Sequence, residues 1–305
     1  MDSFKYVVEN SQYINISYNN ILKFTDLIKN LKYKHWSKEL SIDLNEKQWI
    51  LLVFIIEYMN FFFWKKPKWT IEYKGILYCG SNALFYSIIK EIENNNNFLD
   101  IDYLNKLDFN SFKKIFNARQ GTLSLLKERF ISFKNTITNI SKADFYETLF
   151  SFKCNKKLLK FIIDNFYSFN DTSIYKGKSI CFNKRANLLV NDLFWISPTI
   201  NSNIENVNNL TGCADYVIPR IFRDFGLISY NDELAYLIDN EIEIKHNSEM
   251  EIEIRAVTIY IIELIKKNLL KKHIKINSIE LDNIIWKFGN DKKKTKNHHT
   301  LTTFY

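Results

Sequence analysis

The segment "WILLVFIIEYMNFFFW", Trp49 to Trp64, is the most hydrophobic run of the chain and decides how its fold is built. Glu57 and Asn60 interrupt the run, which falls short of the roughly 20 apolar residues that a helix needs to span a bilayer. The run therefore predicts a helix buried in the core of a globular protein, and we expect no membrane association.

The composition around this helix favours more helices. Of the 305 residues, 46% are hydrophobic and 25% are charged, a balance typical of soluble globular proteins. Only 7 glycines and 3 prolines occur, too few for a turn-rich β-sandwich or β-barrel. We predict a mainly α fold, and the length suits one large domain or two modest lobes.

Apolar residues recur at helical spacing along most of the sequence. The pattern predicts helices over residues 19–31, 82–93, 122–135, 142–152, 156–165, 184–195, 215–225, 232–238, 252–270 and 278–288. Two of these helices have predicted N-caps, which are Ser81 and, in a pattern resembling a capping box, Ser229. From Trp69 to Cys79 apolar and polar residues alternate around a Lys-Gly pair, which predicts a small β-hairpin.

Charge and cysteine content limit the choice of partners and compartment. Much of the net charge of +8 lies in "DKKKTKNHH", residues 291–299, which predicts a solvated loop, with a phosphate-binding patch as the alternative. The rest of the chain is only mildly basic, so direct nucleic-acid binding is not expected. No C-x-x-C pair and no secretory signal occur, so we predict a cytoplasmic protein without a zinc site or disulfide framework.

The usual catalytic motifs are missing from the sequence. It contains no G-x-G-x-x-G, P-loop, G-x-S-x-G or H-E-x-x-H pattern, and no histidine stands at metal-ligand spacing with carboxylates. We therefore predict neither a metal nor a cofactor. The remaining candidates for chemistry are carboxylates in apolar surroundings.

The first of these is Asp215 in "TGCADYVIPRIF", residues 211–222. Tyr216 follows it, and Pro219 comes where the first turn of a helix tolerates proline. A buried charge is costly unless a function requires it, which favours a reactive group. The alternative is a helix N-cap exposed to water.

Two further segments carry charge within apolar helices. In "INSIELDNIIWKFG", residues 276–289, Asp282 and Trp286 are four apart and share one helix face. They form either part of a site or a structural pair in which the indole N–H donates to the carboxylate. In "FNKRANLLVNDLFW", residues 182–195, Lys184 and Arg185 open a helix that contains Asp192. A solvated helix start is the ordinary alternative for that pair.

Six separated blocks that include these segments resemble the queuosine salvage proteins, a family of queuosine 5′-phosphate N-glycosylases. The blocks are "FFFWKKPKWTIEYKGILYCGSNAL", "SIYKGKSICFNKRANLLVNDLFW", "CADYVIPRIFRDFGLISYNDEL", "EIEIRAVTIYIIELI", "INSIELDNIIWKF" and "HHTLTTFY". They run in family order from about Asn60 to Tyr305. The resemblance implies a DNA-glycosylase-like helical fold with the hairpin as a small insertion. It implies one domain over residues 1–305, either undivided or built as two helical lobes with the active site between them.

The activity implied by the resemblance is hydrolysis of the N-glycosidic bond of queuosine 5′-monophosphate. The products are ribose 5-phosphate and queuine, which eukaryotes can reinsert into tRNA. The family's catalytic carboxylate lies in an aromatic-Ala-Asp-Tyr-x-x-Pro segment, which matches Asp215. A fixed carboxylate there would stabilise positive charge on the ribose and orient or deprotonate the attacking water.

Other residues then become candidates for substrate binding. Asp282 would accept hydrogen bonds from the donor edge of the guanine-like base, with Trp286 stacking on the base and Ser278 adding a hydrogen bond. Lys184 and Arg185, at a predicted helix start, would bind the 5′-phosphate.

The neighbours of the catalytic aspartate and one distant arginine complete the candidates. Cys213 and Tyr216 are expected to contact the substrate, although Cys213 replaces the family's usual aromatic residue and reduces the stacking surface. Arg255 competes for the phosphate, but a salt bridge to Glu253 or a neighbouring carboxylate is the favoured interpretation.

The sequence also departs from the family pattern elsewhere, and two alternatives stay open, one suggested by the net charge of +8 and one by the departures at Cys213 and Lys38. Lys38 stands where family members have a histidine, with His35 out of register, and His299 and Leu301 replace two arginines. One alternative is a glycosylase that acts on a base within RNA or DNA, which would require base flipping. The other is a helical nucleotide- or RNA-binding protein without catalytic activity.

Overall fold

The computed structural model describes residues 1–200 and 202–305 and confirms the mainly α class. The α-helices are α1 (Asp2–Glu9), α2 (Tyr18–Ile28), α3 (Glu46–Met59), α4 (Gly80–Asn94), α5 (Ile101–Lys106), α6 (Phe109–Ile115), α7 (Leu126–Ile140), α8 (Phe145–Ser151), α9 (Asn155–Asn165), α10 (Lys184–Ile196), α11 (Val217–Asp224), α12 (Asp232–Asp239), α13 (Glu249–Lys271) and α14 (Ser278–Gly289). Short 3-10 helices cover Trp36–Glu39 and Tyr167–Phe169. The likeness to DNA glycosylases and the number of lobes stay predictions.

Six short strands pair into antiparallel sheets of two strands each. The pairs are β1 (Ile14–Ile16) with β6 (Ile228–Tyr230), β2 (Thr70–Tyr73) with β3 (Ile76–Cys79), and β4 (Thr172–Tyr175) with β5 (Lys178–Cys181). The β2–β3 pair confirms the predicted hairpin. Its turn residues Lys74 and Gly75 have φ of +48° and +79°, as a tight two-residue hairpin turn requires. The β4–β5 hairpin, which turns at a second Lys-Gly pair, was not predicted.

Helix α3 contains most of the hydrophobic run and confirms the predicted core helix. A capping box between Asn45 and Gln48 starts the helix, and every residue from Trp49 to Met59 is buried. The helix packs against α4, α7 and α10. The buried set includes Glu57, so one ionisable group is carried into the core with the apolar residues.

Two buried arginines stabilise the point where α3 ends. The Arg129 guanidinium donates hydrogen bonds to the carbonyl oxygens of Met59 and Phe61, and the Arg185 guanidinium donates to that of Tyr58. Carbonyl groups in the last turn of a helix have no intrahelical partner, so these contacts satisfy them. The helix therefore ends at Met59, and the last apolar residues of the run continue as irregular chain.

The apolar core consists of two main clusters and a smaller third one. The first surrounds α3 and includes residues of α4, α7, α9 and α10, and the second is built on α13 with α2, α11 and α14. The third joins α1 and the β4–β5 hairpin to α13. The segment with Asp215 lies where they meet, because Cys213 belongs to the first cluster, Ala214 to the third and Val217 to the second.

Both predicted N-caps are wrong. Helix α4 begins at Gly80 and so includes Ser81, while α12 is capped by Asn231, whose side-chain oxygen accepts from the Leu234 amide at 2.9 Å. Asparagine is as good an N-cap as serine, so composition alone could not separate Asn231 from Ser229. The helices predicted from periodicity do not include α1, α5 and α6.

The basic segment 291–299 is only partly a solvated loop. Its four lysines are exposed as predicted, but His298 at its end is buried. The Asp224 carboxylate accepts hydrogen bonds from the backbone amides of Lys294 and Thr295, which ties the segment to the end of α11.

Candidate active site

A cavity of about 670 Å³ opens where the end of α3 meets the start of α10 and the segment before α11. The β2–β3 hairpin and α4 line one side, α14 another, and residues 33–42 a third. Its size suits a nucleotide, since small-molecule sites measure roughly 300–1,000 Å³. The carboxyl groups in the wall belong to Glu39, Glu57, Glu93, Asp192, Asp215 and Asp282, and the lysines are Lys34, Lys74, Lys184 and Lys287.

Asp215 is half-buried in this wall, at the N-terminal end of α11. Its Oδ1 accepts hydrogen bonds from the amides of Val217 at 2.8 Å and Ile218 at 3.1 Å. The carboxylate therefore caps the helix and also lines the cavity, and its reactive role stays a prediction. The two amide hydrogen bonds fix the orientation of the carboxylate in the wall.

The segment that carries Asp215 lies directly on α13. A Cβ atom on Gly212 would come within 2.5 Å of Cδ1 of Ile262 on that helix, so a larger residue does not fit without movement. The close approach fixes the backbone three residues before Asp215. Glycine is needed here for space, because its φ is not in the left-handed region.

Asp282 is buried on α14, and its Oδ2 accepts a hydrogen bond from the Cys213 amide at 2.9 Å. Burial, and next the Asp215 carboxylate, raise the pKa of Asp282 well above its ordinary value, against the Cys213 hydrogen bond and Lys184. Asp215 and Asp282 are thus linked in two ways. Their negative charges repel each other, and Asp282 binds the backbone amide of Cys213, two residues before Asp215. Trp286 also lines the cavity, but the bond that holds Asp282 comes from Cys213 and not from the predicted indole.

Glu57 is a cavity residue that the sequence analysis did not propose. It lies in the last turn of α3 with 4% of its surface exposed, and Nδ2 of Asn60 lies 3.4 Å from its Oε2. Burial, and next the Asp192 carboxylate, raise the pKa of Glu57 to about 8. The signal was present in the sequence, because Glu57 interrupts an otherwise apolar run.

Asp192 connects α10 to the segment before α3. Its Oδ1 lies 3.0 Å from Nε2 of His35, and its Oδ2 accepts from the indole of Trp36 at 3.0 Å. The His35 ring stacks on Trp195, with ring centroids 5.5 Å apart. His35 and Trp36, rather than the exposed Lys38, are therefore the residues of this segment that bind Asp192 in the wall.

Lys184 and Arg185 have different surroundings. Lys184 is buried in the cavity wall, where its ammonium opposes the rise in pKa of Glu57 and Asp282. Arg185 donates to the carbonyl oxygens of Tyr58 and Ser168 and lies outside the wall. The prediction that both bind phosphate is corrected for Arg185, because consecutive residues of a helix do not face the same way.

Three other predicted contact residues lie at or beyond the edge of the site. Cys213 lines the cavity, and burial raises the pKa of its thiol well above its usual range. Tyr216 packs against the second core cluster, outside the described part of the wall. Ser278 also lies outside the cavity wall. Its hydroxyl donates to Glu263 and accepts from Lys266 at 2.6 Å.

Arg255 forms the predicted salt bridge with neighbouring carboxylates rather than a phosphate site. Its guanidinium pairs with Asp171 and lies 3.5 Å from Glu251, while Glu253 accepts hydrogen bonds from residues 11–13 and from Tyr175. The pairing with a neighbouring carboxylate is confirmed, and the named partner Glu253 is wrong.

Metal and membrane features are not found in the described residues. Over residues 1–200 and 202–305, no group of three or more His, Cys, Asp or Glu side chains could hold a metal ion. In the same residues, no helix combines the length and apolar character needed to cross a membrane.

Comparison with known proteins identifies the family. The family model described as queuosine salvage protein matches residues 40–305. The queuosine 5′-phosphate N-glycosylase/hydrolase of Sphaerobacter thermophilus is 27% identical over 308 residues, covering 98% of this chain and 95% of that protein. Proteins of the same name from Dictyostelium discoideum and Mus musculus are 28% and 24% identical, covering 89% and 100% of this chain and 84% and 98% of their own lengths. This chain belongs to the queuosine salvage protein family.

Proposed function

We propose that this protein hydrolyses the N-glycosidic bond of queuosine 5′-monophosphate and releases queuine and ribose 5-phosphate. The observation that carries the proposal is Asp215, a carboxylate fixed by two backbone amides in the wall of a nucleotide-sized cavity. The match to the family over residues 40–305 and the names of the relatives support the same reaction.

The proposed reaction needs a carboxylate that does not move. As the bond between C1′ and the base nitrogen breaks, its electron pair leaves with the base and positive charge develops on the ribose. A preorganised carboxylate stabilises that charge better than bulk water does. The attacking water then forms the new bond to C1′ and gives a proton to Asp215, and the base nitrogen takes up a proton to become neutral queuine, so that one water is added across the broken bond.

The leaving group increases this demand. Queuine is a 7-deazaguanine and lacks the N7 atom that could be protonated to help a purine depart. Stabilisation of the ribosyl cation therefore has to supply more of the rate enhancement. Hydrogen bonds to the departing base supply the rest.

Asp282 is the proposed contact for the base. The guanine-like edge presents N1–H and an exocyclic amine, two donors that one carboxylate can accept together. Hydrogen bonds from such donors favour the ionised carboxylate. They would therefore lower the pKa of Asp282, which burial raises. Trp286 lies in the same wall and offers a surface for stacking.

Lys184 is the proposed phosphate contact. Among the lysines that line the cavity in the described residues, Lys184 is buried, whereas Lys34, Lys74 and Lys287 are exposed. Lys74 already pairs with Glu93 at 2.9 Å. An ammonium group at the start of α10 would bind the phosphate as a point charge.

The alternatives receive less support from the same observations. A wall with six carboxyl groups and four lysines is a poor surface for a polyanionic nucleic-acid backbone. The replacement of an aromatic residue by Cys213 leaves Asp215 in place. It also leaves the hydrogen bond to Asp282, because that bond comes from the backbone amide of Cys213 and not from its side chain.

Purified protein incubated with queuosine 5′-monophosphate tests the proposal. Mass spectrometry should detect free queuine and ribose 5-phosphate, and Asp215→Asn protein should release neither at a comparable rate. Parallel incubations with queuosine-containing tRNA and with the nucleoside separate the nucleic-acid alternative and define the need for phosphate. Intact nucleotide at high enzyme concentration would contradict the proposal.

A further inference from the structure

We propose that Glu57 and Asp192 form a subsite for the alkylammonium group carried by the base of the substrate. The inference rests on the proposed function and adds a determinant of specificity to it. The two carboxyl groups come from different helices, α3 and α10, and line the same cavity.

The charge balance of the buried wall calls for a further cation. Glu57, Asp192 and Asp282 are all buried there; the buried basic groups beside them are Lys184 in the wall and His35, 3.0 Å from Asp192, while Glu57 has no salt bridge among the described residues. Arg185 is close to Glu57, but its terminal nitrogens donate to carbonyl oxygens. Buried carboxylates are stable only when paired, so a cationic ligand would complete this side of the cavity.

The substrate provides such a cation. Position 7 of queuine carries an aminomethyl group substituted on its nitrogen, a secondary amine that is protonated at neutral pH like other alkylamines. The sugar and phosphate of the nucleotide offer no positive charge. If Asp215 faces the ribose and Asp282 the guanine-like edge, Glu57 and Asp192 are the buried carboxyl groups left for the side chain.

The pair is held in place before a ligand arrives. Both oxygens of Asp192 are fixed, by the His35 ring and the Trp36 indole, each at 3.0 Å. Glu57 lies in a rigid core helix and has Asn60 beside Oε2 at 3.4 Å. Glu57 therefore supplies the direct contact to the ammonium group. Asp192, whose oxygens are already hydrogen-bonded, contributes the electrostatic attraction of its negative charge.

The experiment compares two substrates in matched variants. Values of kcat/KM are measured for queuosine 5′-monophosphate and for 7-deazaguanosine 5′-monophosphate, which lacks the side chain. The proteins are wild type, Glu57→Gln, Asp192→Asn and Glu147→Gln, the last removing one exposed charge of α8 outside the cavity. Thermal melts of each variant check that it is folded.

We expect wild type to prefer the aminated substrate by roughly tenfold or more, as the loss of one charge-assisted hydrogen bond would predict. The preference should fall toward one in Glu57→Gln and Asp192→Asn and persist in Glu147→Gln. In Asp215→Asn protein, where turnover is blocked, the ratio of the two dissociation constants should show the same preference.

Each contrary result has a distinct meaning. If wild type cleaves both substrates equally, or if Glu57→Gln slows both by the same factor, the subsite is wrong and the proposed reaction stands. If wild type cleaves neither substrate, the proposed function itself fails. N-acetylation of the substrate amine removes the cation in the wild-type enzyme and should reproduce the loss of preference, whichever variants fold.

Discussion

Two groups of buried charges in this protein differ in how they are compensated. On α13, Arg255 pairs with Asp171 and Glu251, stacks its guanidinium 3.9 Å from the centroid of Phe182, and donates to the Ala214 carbonyl at 3.2 Å. In the cavity, several carboxyl groups share the buried Lys184. The first group is an ion network with its partners supplied, whereas in the second Glu57 has no salt bridge among the described residues.

The pKa values of the two groups move in opposite directions. Burial acts to raise the pKa of Glu251, but Arg255 and His246 outweigh it, and the pKa is lowered. For Asp282, burial and the Asp215 carboxylate act together and raise the pKa. Strongly perturbed carboxyl groups in a cavity are typical of functional sites, whereas paired ones serve stability.

The largest expected effect is on the rate, at Asp215. Asp215→Asn should lower kcat roughly 10³-fold or more, because the cation at C1′ loses its charged partner. The amide oxygen of asparagine can still accept from Val217 and Ile218, so the free energy of unfolding and nucleotide affinity should change little. Single-turnover assays measure the rate, and calorimetry measures the free energy of unfolding and the nucleotide affinity. Surviving turnover would assign the chemistry to another group.

The opposite behaviour is expected at Arg255. Arg255→Met should lower the free energy of unfolding by about 3 kcal/mol or more, since it leaves Asp171 and Glu251 buried without their cation. Arg119→Met, which breaks a pair with Glu72 in which both side chains are exposed, should cost only about 1 kcal/mol or less. Denaturant titrations compare them. Equal losses would remove the distinction between the buried network and an ordinary surface pair.

A smaller effect is expected on substrate binding at Asp282. Asp282→Ala should raise KM by roughly tenfold to a hundredfold, as expected for the loss of hydrogen bonds to a charged group. Asp282→Asn keeps an oxygen for the Cys213 amide and so tests the base contact without releasing the loop. If both variants bind the nucleotide as wild type does, Asp282 serves the structure alone.

The smallest effect is on stability, at Glu57. Its pKa of about 8 in the folded protein exceeds the ordinary 4.5, so the folded state binds more protons between these values and loses stability as the pH rises through them. Glu57→Gln removes this loss. Its Tm should exceed that of wild type by roughly 1–2 °C at pH 8, equivalent to about 1 kcal/mol, and the gap should shrink toward pH 5. A gap independent of pH would mean that packing, not ionisation, is responsible.

The sequence predicts those elements of the fold that follow from a local pattern. It does not predict contacts between residues that are far apart in sequence. Helical periodicity found α10, α11, α13 and α14, and the apolar run found α3. Pairing of β1 with β6 joins residues more than two hundred positions apart in sequence, so no local pattern indicates it. The sequence also does not decide between neighbouring cap residues such as Ser229 and Asn231, because both residue types cap helices well.

The site was predictable to a similar degree. Asp215 was singled out as a charge in apolar company, and Asp282 by its spacing to Trp286. Glu57 was visible as an interruption of the core helix, but only the meeting of α3 and α10 brings it to Asp192. Spacing alone could not show which of Lys184 and Arg185 faces the cavity, since that depends on how α10 packs.

The cavity wall is assembled from stretches between Tyr33 and Lys287 that are widely separated along the chain. The proposed reactive group at the start of α11 and its proposed base contact on α14 are brought together only by contacts between helices that are distant in sequence. During refolding from denaturant, helical circular dichroism should therefore recover before glycosidase turnover, because long-range contacts close later than local ones. Enzymatic activity would then report completion of the whole chain's folding, and a fragment lacking α14 should be inert however well its remaining helices form.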